Sequence, residues 1–281
     1  MRVGIFIFSI VFFSFSNAFA DNQQSQKLTK MLPPDIGRVA FGDSGTITYF
    51  VKRPKQSPKA IIFSMQGSNG CLYGRRGKVR SEEDLISNKG PSKKHPSFMI
   101  KWVPSLVNSG FLVILPNCPD VSHDSSGKEY TAAMMKIIQT VKGSTKLPVF
   151  FSGMSRGTIR AVNAASRLTS EIRGVILLSA VTGRTHDGTV FDPPYKNISS
   201  SILMVIHKDD GCVSSESLSR LRLFNEGLSL TKDKKISVVE GGQNALEDSR
   251  EALCGAKSHH GMFGIEQKVI TLVKNWLEER L

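Results

Sequence analysis

The feature that most constrains the fold of this chain is a regular alternation of short apolar runs with longer amphipathic segments. The apolar runs are rich in Val, Ile, Leu and Phe, and they occupy residues 60–65, 111–116, 147–153, 173–180, 201–207 and 235–240. Short continuous apolar runs are typical of strands that are buried on both faces, as in a parallel sheet. The alternation therefore predicts an α/β protein with a mainly parallel central sheet and helices on both faces.

Apolar residues at helical spacing fill the intervals between these runs. They predict helices at residues 96–110, 129–142, 155–169, 215–228 and 264–281, the first of them continuous despite Pro104. Before the first run, residues 38–54 alternate in polarity around a glycine-rich turn at residues 42–45, which is typical of a β-hairpin. A fold of this kind binds its ligands beyond the carboxyl ends of the strands.

The first twenty residues have the pattern of a secretory signal peptide. One Arg precedes an apolar stretch, and Ala18-Phe19-Ala20 has the small-x-small pattern that signal peptidases cleave. The competing interpretation is a membrane-spanning helix, but the stretch is shorter than the ~20 residues that a bilayer requires and is diluted by serines. We therefore expect a signal peptide at residues 1–20, one domain at residues 21–281, export to the periplasm or the medium, and no stable membrane insertion.

The cysteines are Cys71, Cys118, Cys212 and Cys254, all within the predicted mature chain. An even number of cysteines in an exported protein predicts disulfides, and four cysteines allow three pairings. Their wide spacing and the lack of any Cys-x-x-Cys pair argue against a zinc site.

The chain is strongly basic, with a formal net charge of +13. Such a charge would suit nucleic acid, acidic polysaccharide or an anionic membrane surface. The sequence contains no signature of an RNA-recognition motif, a helix-turn-helix or a zinc finger, so we expect no nucleic-acid partner. A basic surface is also ordinary in exported proteins, and the charge alone identifies no ligand.

The pattern Gly153-x-Ser155-x-Gly157 lies between a predicted buried strand and a predicted helix. A sharp strand-to-helix turn needs small residues on both sides, and it projects the central side chain over the edge of the sheet. Such a turn is a nucleophile elbow, and the N–H of Arg156 at the start of the helix can help to hold an oxyanion. The alternative is that the glycines merely form a structural turn.

A nucleophilic serine requires a histidine that accepts its proton and a carboxylate that orients the histidine. Asp209 and Asp210 follow the strand predicted at residues 201–207, whereas His259 and His260 precede the last helix. Each candidate thus follows a different predicted strand, in the chain order Ser, Asp, His. Structural roles for these residues, as a loop carboxylate and as surface histidines, are the alternatives at this point.

With this set of residues the sequence resembles the α/β-hydrolase family over essentially all of the mature chain, and most closely its secreted dienelactone hydrolase and esterase types. In these proteins the acid commonly stands in a D-x-x-V or D-x-C setting, which Asp210 satisfies through Cys212 and Val213. The base is commonly followed by a small residue and a helix that ends in Trp-Leu, as His260 is. The resemblance therefore implies the triad Ser155, Asp210 and His260.

The resemblance also implies an oxyanion loop after the first buried strand. The family often has His-Gly-Gly there, whereas this chain has Gln66-Gly67-Ser68. The departure at Gln66 argues against the lipases with an HGGG motif, but a backbone donor does not depend on the side chain. We expect the N–H groups of Ser68 and Arg156 to hold the oxyanion, with Gln66 and Gly67 beside the substrate.

The assigned acid and base suggest a disulfide pairing. A bond between Cys212 and Cys254 would join the loops that carry Asp210 and His260, and it would leave Cys71 to pair with Cys118. The segment after Cys71 contains seven Lys and Arg against three acids. One hypothesis is that Arg75, Arg76, Lys78 and Arg80 attract an anionic substrate, and the alternative is an ordinary solvated loop.

These observations together predict an exported serine hydrolase that cleaves the ester bond of a small molecule through an acyl-enzyme, with an anionic substrate as one hypothesis. The resemblance implies no metal and no organic cofactor. Two alternatives use the same residues or the same fold. One is a serine peptidase or acyltransferase with the same triad, and the other is a catalytically silent binding protein of the cell envelope.

Overall fold

The computed structural model describes residues 35–43, 45–68, 70–72, 97–119, 127–143, 145–183, 185, 188–244, 246–247 and 249–281. The predicted signal peptide lies outside these ranges, as do the basic residues Arg75, Arg76, Lys78 and Arg80.

The strands form one eight-stranded sheet in the order β1-β2-β4-β3-β5-β6-β7-β8. Their bounds are β1 Ile36–Phe41, β2 Gly45–Lys52, β3 Ala60–Met65, β4 Phe111–Pro116, β5 Val149–Met154, β6 Gly174–Leu178, β7 Ser201–His207 and β8 Lys234–Val239. β2 is antiparallel to β1 and to β4, whereas all the other neighbours are parallel. The prediction of a mainly parallel sheet, preceded by a β-hairpin, is confirmed.

Seven α-helices and one short 3₁₀ helix lie in the described part of the chain. The α-helices are α1 Phe98–Lys101, α2 Val103–Asn108, α3 Lys128–Lys142, α4 Arg156–Arg167, α5 Leu218–Gly227, α6 Arg250–Leu253 and α7 Glu266–Glu278, and the 3₁₀ helix is Tyr195–Asn197. Four of the five predicted helices are present near the expected positions. The four-residue helix α6 was not predicted.

The predicted helix at residues 96–110 is wrong in one respect, because it is broken at Trp102 into α1 and α2. Pro104 has no N–H to donate to the carbonyl of Ile100, and its ring crowds that carbonyl, so a continuous helix is disfavoured. Trp102 instead is fully buried, and its indole N–H donates to the hydroxyl of Ser64 on β3 over 3.0 Å. This hydrogen bond anchors the helical segment to the sheet.

The core lies on both faces of the sheet, as the continuous apolar runs predict. On one face the rings of Phe63 and Phe151 meet edge to face at 4.9 Å, in a cluster with α3 and α4. On the other face Phe150 meets Trp276 of α7 at 6.1 Å, in a cluster that includes α1 and α2. All six residues of β3, β4 and β5 are buried, so these strands form the centre of the protein.

Among the described residues, we find no helix with the length and apolar character needed to cross a bilayer.

Candidate active site

Ser155 occupies the sharp turn between β5 and α4. Its backbone has φ 51° and ψ −128°, a left-handed φ that residues other than glycine rarely adopt. Thr158 stabilises the turn, since its N–H and its hydroxyl both donate to the Ser155 carbonyl, over 2.8 and 2.6 Å. A strained residue that caps a helix after a buried strand has the geometry of a nucleophile elbow.

Both glycines of the motif are required by close packing of α4 against the sheet. A β-carbon on Gly153 would lie 2.2 Å from the carbonyl oxygen of Gly157, and a β-carbon on Gly157 would lie 2.3 Å from that of Met65. These distances are well inside van der Waals contact, so neither position has room for a side chain. The Gly-x-Ser-x-Gly spacing therefore has a steric cause in this fold.

Residues 66–68 lie directly beside Ser155. A β-carbon on Gly67 would be 3.2 Å from the β-carbon of Ser155, which places the two residues in contact. Ser68 has φ 51°, and the N–H of Gly70 closes the turn by donating to the Gly67 carbonyl over 3.0 Å. The loop follows β3, and β3 and β5 are the neighbours between which the chain order of the sheet reverses. Ligand sites of α/β proteins lie at such switch points.

Gln66 has a buried amide with one unmatched donor. The side chain is 5% exposed, and its Oε1 accepts a hydrogen bond from the hydroxyl of Ser97. Its Nε2 is buried and has no hydrogen-bond partner among the described residues. Because a buried donor without a partner is costly, Nε2 is a candidate contact for a bound molecule.

Asp210 and His260 are in direct contact. The Nδ1 atom of His260 lies 3.0 and 3.2 Å from the two carboxylate oxygens of Asp210, and each side chain is 2% exposed. Ser215, which is also buried, has its hydroxyl oxygen 3.0 Å from the same Nδ1. The structure therefore brings together the acid and the base that the resemblance assigns.

The environment of Asp210 favours its ionised form. Burial alone would raise the pKa of this carboxyl, but the hydrogen bond and charge of His260, together with hydrogen bonds from Cys212 and Ser215, outweigh the burial and hold the pKa below its ordinary value. The N–H of Cys212, 3.0 Å from Oδ1, and the hydroxyl of Ser215 act in the same direction. A carboxylate on Nδ1 keeps the proton of His260 on that nitrogen, so Nε2 has a free lone pair.

Ser155 and His260 are linked through one pair of residues at the end of β6. The N–H of Ser155 donates to the carbonyl of Leu178 over 3.0 Å, and the hydroxyl of the next residue, Ser179, donates to the carbonyl of His260 over 2.8 Å. Nε2 of His260 is buried and has no hydrogen-bond partner in the described part of the chain. The base thus stands at the same edge of the sheet as Ser155, with one nitrogen uncommitted.

The first members of the two doublets, Asp209 and His259, form a separate contact. Nδ1 of His259 lies 3.2 Å from the backbone carbonyl of Asp209, and its ring stacks on His207 with centroids 4.0 Å apart. The N–H of Asp209 donates to Nδ1 of His207 over 3.0 Å. These bonds tie the residue before the acid to the residue before the base.

His207, Asp209 and His259 also form a group whose ligand-type atoms lie within 4.8 Å of one another. Nδ1 of His207 already accepts a hydrogen bond, so its Nε2–H is the donor to the Gly241 carbonyl 2.8 Å away. The two imidazole planes are within 10° of parallel, which directs their in-plane lone pairs side by side and not to one point. The arrangement fits a hydrogen-bonded brace better than a metal site.

The disulfides are Cys71–Cys118 and Cys212–Cys254, the pairing expected from the sequence. The first joins the segment after the oxyanion loop to the segment after β4. The second joins the loop of Asp210 to the short helix before His260. Both bonds therefore lie at the carboxyl edge of the sheet.

Three residues that support this site were not found from the sequence, namely Arg160, Ser179 and Ser215. Arg160 had a detectable signal, because it is a charged residue in the middle of α4, directly between the apolar residues Ile159 and Ala161. The two serines had none, since serine is frequent in loops and nothing in the local pattern distinguishes them.

No family model matches this chain, and no curated protein matches it by sequence. Solved structures match its fold. Est1E from Butyrivibrio proteoclasticus is 14% identical with a TM-score of 0.55, and the match covers 88% of this chain and 98% of that one. Dienelactone hydrolase from Anabaena variabilis is 12% identical with a TM-score of 0.55, over 88% and 97%. An esterase from Pyrococcus furiosus is 10% identical with a TM-score of 0.56, over 87% and 90%. At such identities the likeness establishes a shared fold.

Proposed function

We propose that this chain, which has the α/β-hydrolase fold, is an exported serine hydrolase that cleaves carboxylic esters. The observation that carries the proposal is the buried contact of Asp210 with His260 at the edge of the sheet where Ser155 occupies a strained elbow. A lone serine at such a turn would be a structural feature. An oriented imidazole at the same edge supplies the proton acceptor that a serine nucleophile requires.

In the proposed reaction, Oγ of Ser155 attacks the ester carbonyl and its proton passes to Nε2 of His260. The carbonyl oxygen becomes an oxyanion, which accepts hydrogen bonds from the N–H groups of Ser68 and Arg156. The tetrahedral intermediate collapses, the ester C–O bond breaks, and Nε2 returns the proton to the leaving alcohol. Water then attacks the acyl-enzyme by the same steps, releasing the acid and regenerating Ser155.

Asp210 orients His260 throughout and offsets the positive charge of the imidazolium. Two features of the structure support this role. The carboxylate faces Nδ1 with both oxygens, and the pKa of Asp210 is held low by His260 despite the burial that opposes ionisation. An anionic partner at Nδ1 favours the tautomer in which Nε2 can accept a proton.

The proposed substrate is a small carboxylic ester, and an anionic one is favoured by the basic residues Arg75 and Arg76. The names of structurally similar proteins, an esterase and a dienelactone hydrolase, support ester chemistry. Two disulfides support an oxidising compartment outside the cytoplasm. Charge reversal at Arg75 and Arg76 tests the preference for anionic esters. If the preference is correct, the variant should have a higher KM for anionic esters and an unchanged KM for neutral ones.

The experiment that tests the proposed function is labelling of the oxidised protein with a fluorophosphonate probe, followed by intact mass. We expect one label per molecule in the wild type and in Ser219→Ala, a control at an exposed serine. Ser155→Ala should take up no label, and His260→Ala should react at least about 100-fold more slowly than the wild type. A folded wild type that takes up no label would contradict the proposal and favour a binding protein. Products formed with and without added alcohol then distinguish a hydrolase from an acyltransferase.

A further inference from the structure

Arg160 is a buried arginine behind the proposed oxyanion loop. It lies in α4, one helical turn beyond Arg156 and therefore on the same face of the helix. The residue is 6% exposed. Its Nη1 donates to the carbonyl of Gln66 over 2.8 Å, and its Nη2 donates to the carbonyl of Ser68 over 3.0 Å. One side chain thus holds two carbonyl groups of the same three-residue loop.

These bonds determine which way the peptide N–H groups of the loop point. The described peptide bonds are all trans, and in a trans peptide the C=O and the N–H point in opposite directions. The carbonyl of Gln66 points at Arg160, so the N–H of Gly67 points away from it. The carbonyl of Gly67 accepts the N–H of Gly70, so the N–H of Ser68 points away from Gly70.

The guanidinium also packs directly against the loop. Gly70 has φ 79°, and a β-carbon there would lie 2.8 Å from Cζ of Arg160. The guanidinium therefore lies close to the backbone of Gly70, whose positive φ favours glycine at this position. The charge is close to other buried groups as well: burial raises the pKa of Tyr130 to about 12, and the Arg160 cation acts against that rise.

We propose that Arg160 is a positioning residue of the oxyanion hole, whose loop it orients from the side remote from the substrate. The proposal rests on the proposed hydrolase function. The two carbonyls that it binds belong to the peptides on either side of the Gly67–Ser68 peptide, whose N–H is a proposed oxyanion donor. The two bonds therefore fix the orientation of that N–H.

Arginine has a side chain whose shape allows it to bind both carbonyls of the loop at once. Its planar fork presents several N–H donors at fixed angles, so two carbonyls two residues apart can be bound at once. A lysine carries the same charge but reaches a single point. A glutamine keeps one donor and lacks the charge. Substitution by these two residues therefore separates the effect of charge from that of the double hydrogen bond.

The test compares Arg160→Gln and Arg160→Lys with the wild type, using hydrolysis of p-nitrophenyl acetate. Active sites are counted by fluorophosphonate labelling, so that kcat refers only to molecules with a reactive Ser155. Arg167→Gln is the matched control, because Arg167 lies on the same helix with an exposed side chain. We expect kcat to fall about 100-fold in Arg160→Gln and about 10-fold in Arg160→Lys, with KM unchanged in both. Arg167→Gln should match the wild type.

The outcomes separate this inference from the proposed function. A kcat per labelled site within about twofold of the wild type in both Arg160 variants would overturn the inference alone. A rise in KM at constant kcat would also overturn it, because such a change indicates ground-state binding. Should Arg160→Gln fail to fold, Arg160→Lys decides the question by the same criteria. A wild type without Ser155-dependent turnover would remove the proposed function, and this inference with it.

Discussion

The backbone N–H of Cys212 donates to Oδ1 of Asp210 over 3.0 Å, and Cys212 is covalently bonded to Cys254, six residues before His260. Cys212 therefore both hydrogen-bonds to Asp210 and is joined by a disulfide to the segment that precedes His260. We therefore expect the geometry of the pair Asp210 and His260 to depend on this bond, since neither residue lies in a helix or strand.

We predict that removal of either disulfide destabilises the protein by a similar amount. The two bonds close loops of 42 and 47 residues, for which loop entropy gives about 4 kcal/mol each. The double variant Cys212→Ala with Cys254→Ala should also lose about tenfold in kcat, because Asp210 is less well fixed. Urea unfolding and ester hydrolysis measure the two effects. Unchanged kcat in this variant would contradict the role given to the bond.

Ser215 is predicted to support the Asp210–His260 pair. Its hydroxyl is 3.0 Å from Nδ1 of His260, and it helps to keep the pKa of Asp210 low. Ser215→Ala should therefore lower kcat about threefold to tenfold, as expected for the loss of one hydrogen bond of ordinary strength. Steady-state kinetics would show the change with KM constant. A kcat equal to that of the Ser219→Ala control would show that the hydroxyl is dispensable.

Asp210 should make stability depend on pH. Its pKa is lower in the folded protein than the ordinary value of 3.8, so the unfolded chain binds a proton at the higher pH. The resulting stabilisation is present above the unfolded pKa and is lost as pH falls through the folded pKa. Asp210→Asn should therefore lose less free energy of unfolding than the wild type between about pH 6 and about pH 3.

Urea titrations across that range measure the difference, with Asp209→Asn as the control because the Asp209 side chain is exposed. The same variants separate the two members of the doublet in catalysis. Asp210→Asn should lower kcat about 10⁴-fold, as the loss of the orienting carboxylate does in serine proteases with a Ser-His-Asp triad, whereas Asp209→Asn should change it less than about threefold. Parallel pH profiles for wild type and Asp210→Asn would argue against the shifted pKa.

The glycines of the elbow are predicted to be essential for folding. A β-carbon at Gly153 or Gly157 would approach a backbone oxygen to 2.2 or 2.3 Å, so α4 would have to move away from the sheet. Each Gly→Ala change should cost more than about 3 kcal/mol. Gly211→Ala is the matched control, because its nearest neighbour would be Leu253 at 3.5 Å, an ordinary contact. Thermal unfolding should leave the control close to the wild type.

The strands and the elbow could be predicted from the sequence because both follow local rules. Burial on both faces produces continuous apolar runs, and steric crowding at Gly153 and Gly157 allows only glycine. The sequence also predicts that Ser155, Asp210 and His260 lie at one edge of the sheet, since parallel strands bring the ends of distant segments together there. The local pattern could not decide between Asp209 and Asp210, because both follow the same predicted strand. The choice of Asp210 depended on the resemblance to a known family.

Other features of the site depend on contacts between distant segments. Ser215 meets His260 across 45 residues, and Arg160 meets Gln66 across 94. No pattern of apolar residues encodes such a contact, because it depends on how loops and helices pack after the sheet has formed. The break at Trp102, in contrast, has a local cause in Pro104, whereas the hydrogen bond from the Trp102 indole to Ser64 on β3 joins distant segments.

The anchoring of the oxyanion loop by Arg160 has a consequence for local unfolding. That loop is tied to α4 and, through Cys71, to the end of β4, whereas the loops of Asp210 and His260 are tied to each other. Among the described residues, the edge of the sheet that holds Ser155 thus contains two units, each anchored by its own disulfide. We expect either unit to open to solvent while the sheet and the other unit remain folded. Amide hydrogen exchange should therefore divide this edge into two cooperative groups, and inactivation by mild denaturant should precede the loss of the central strands.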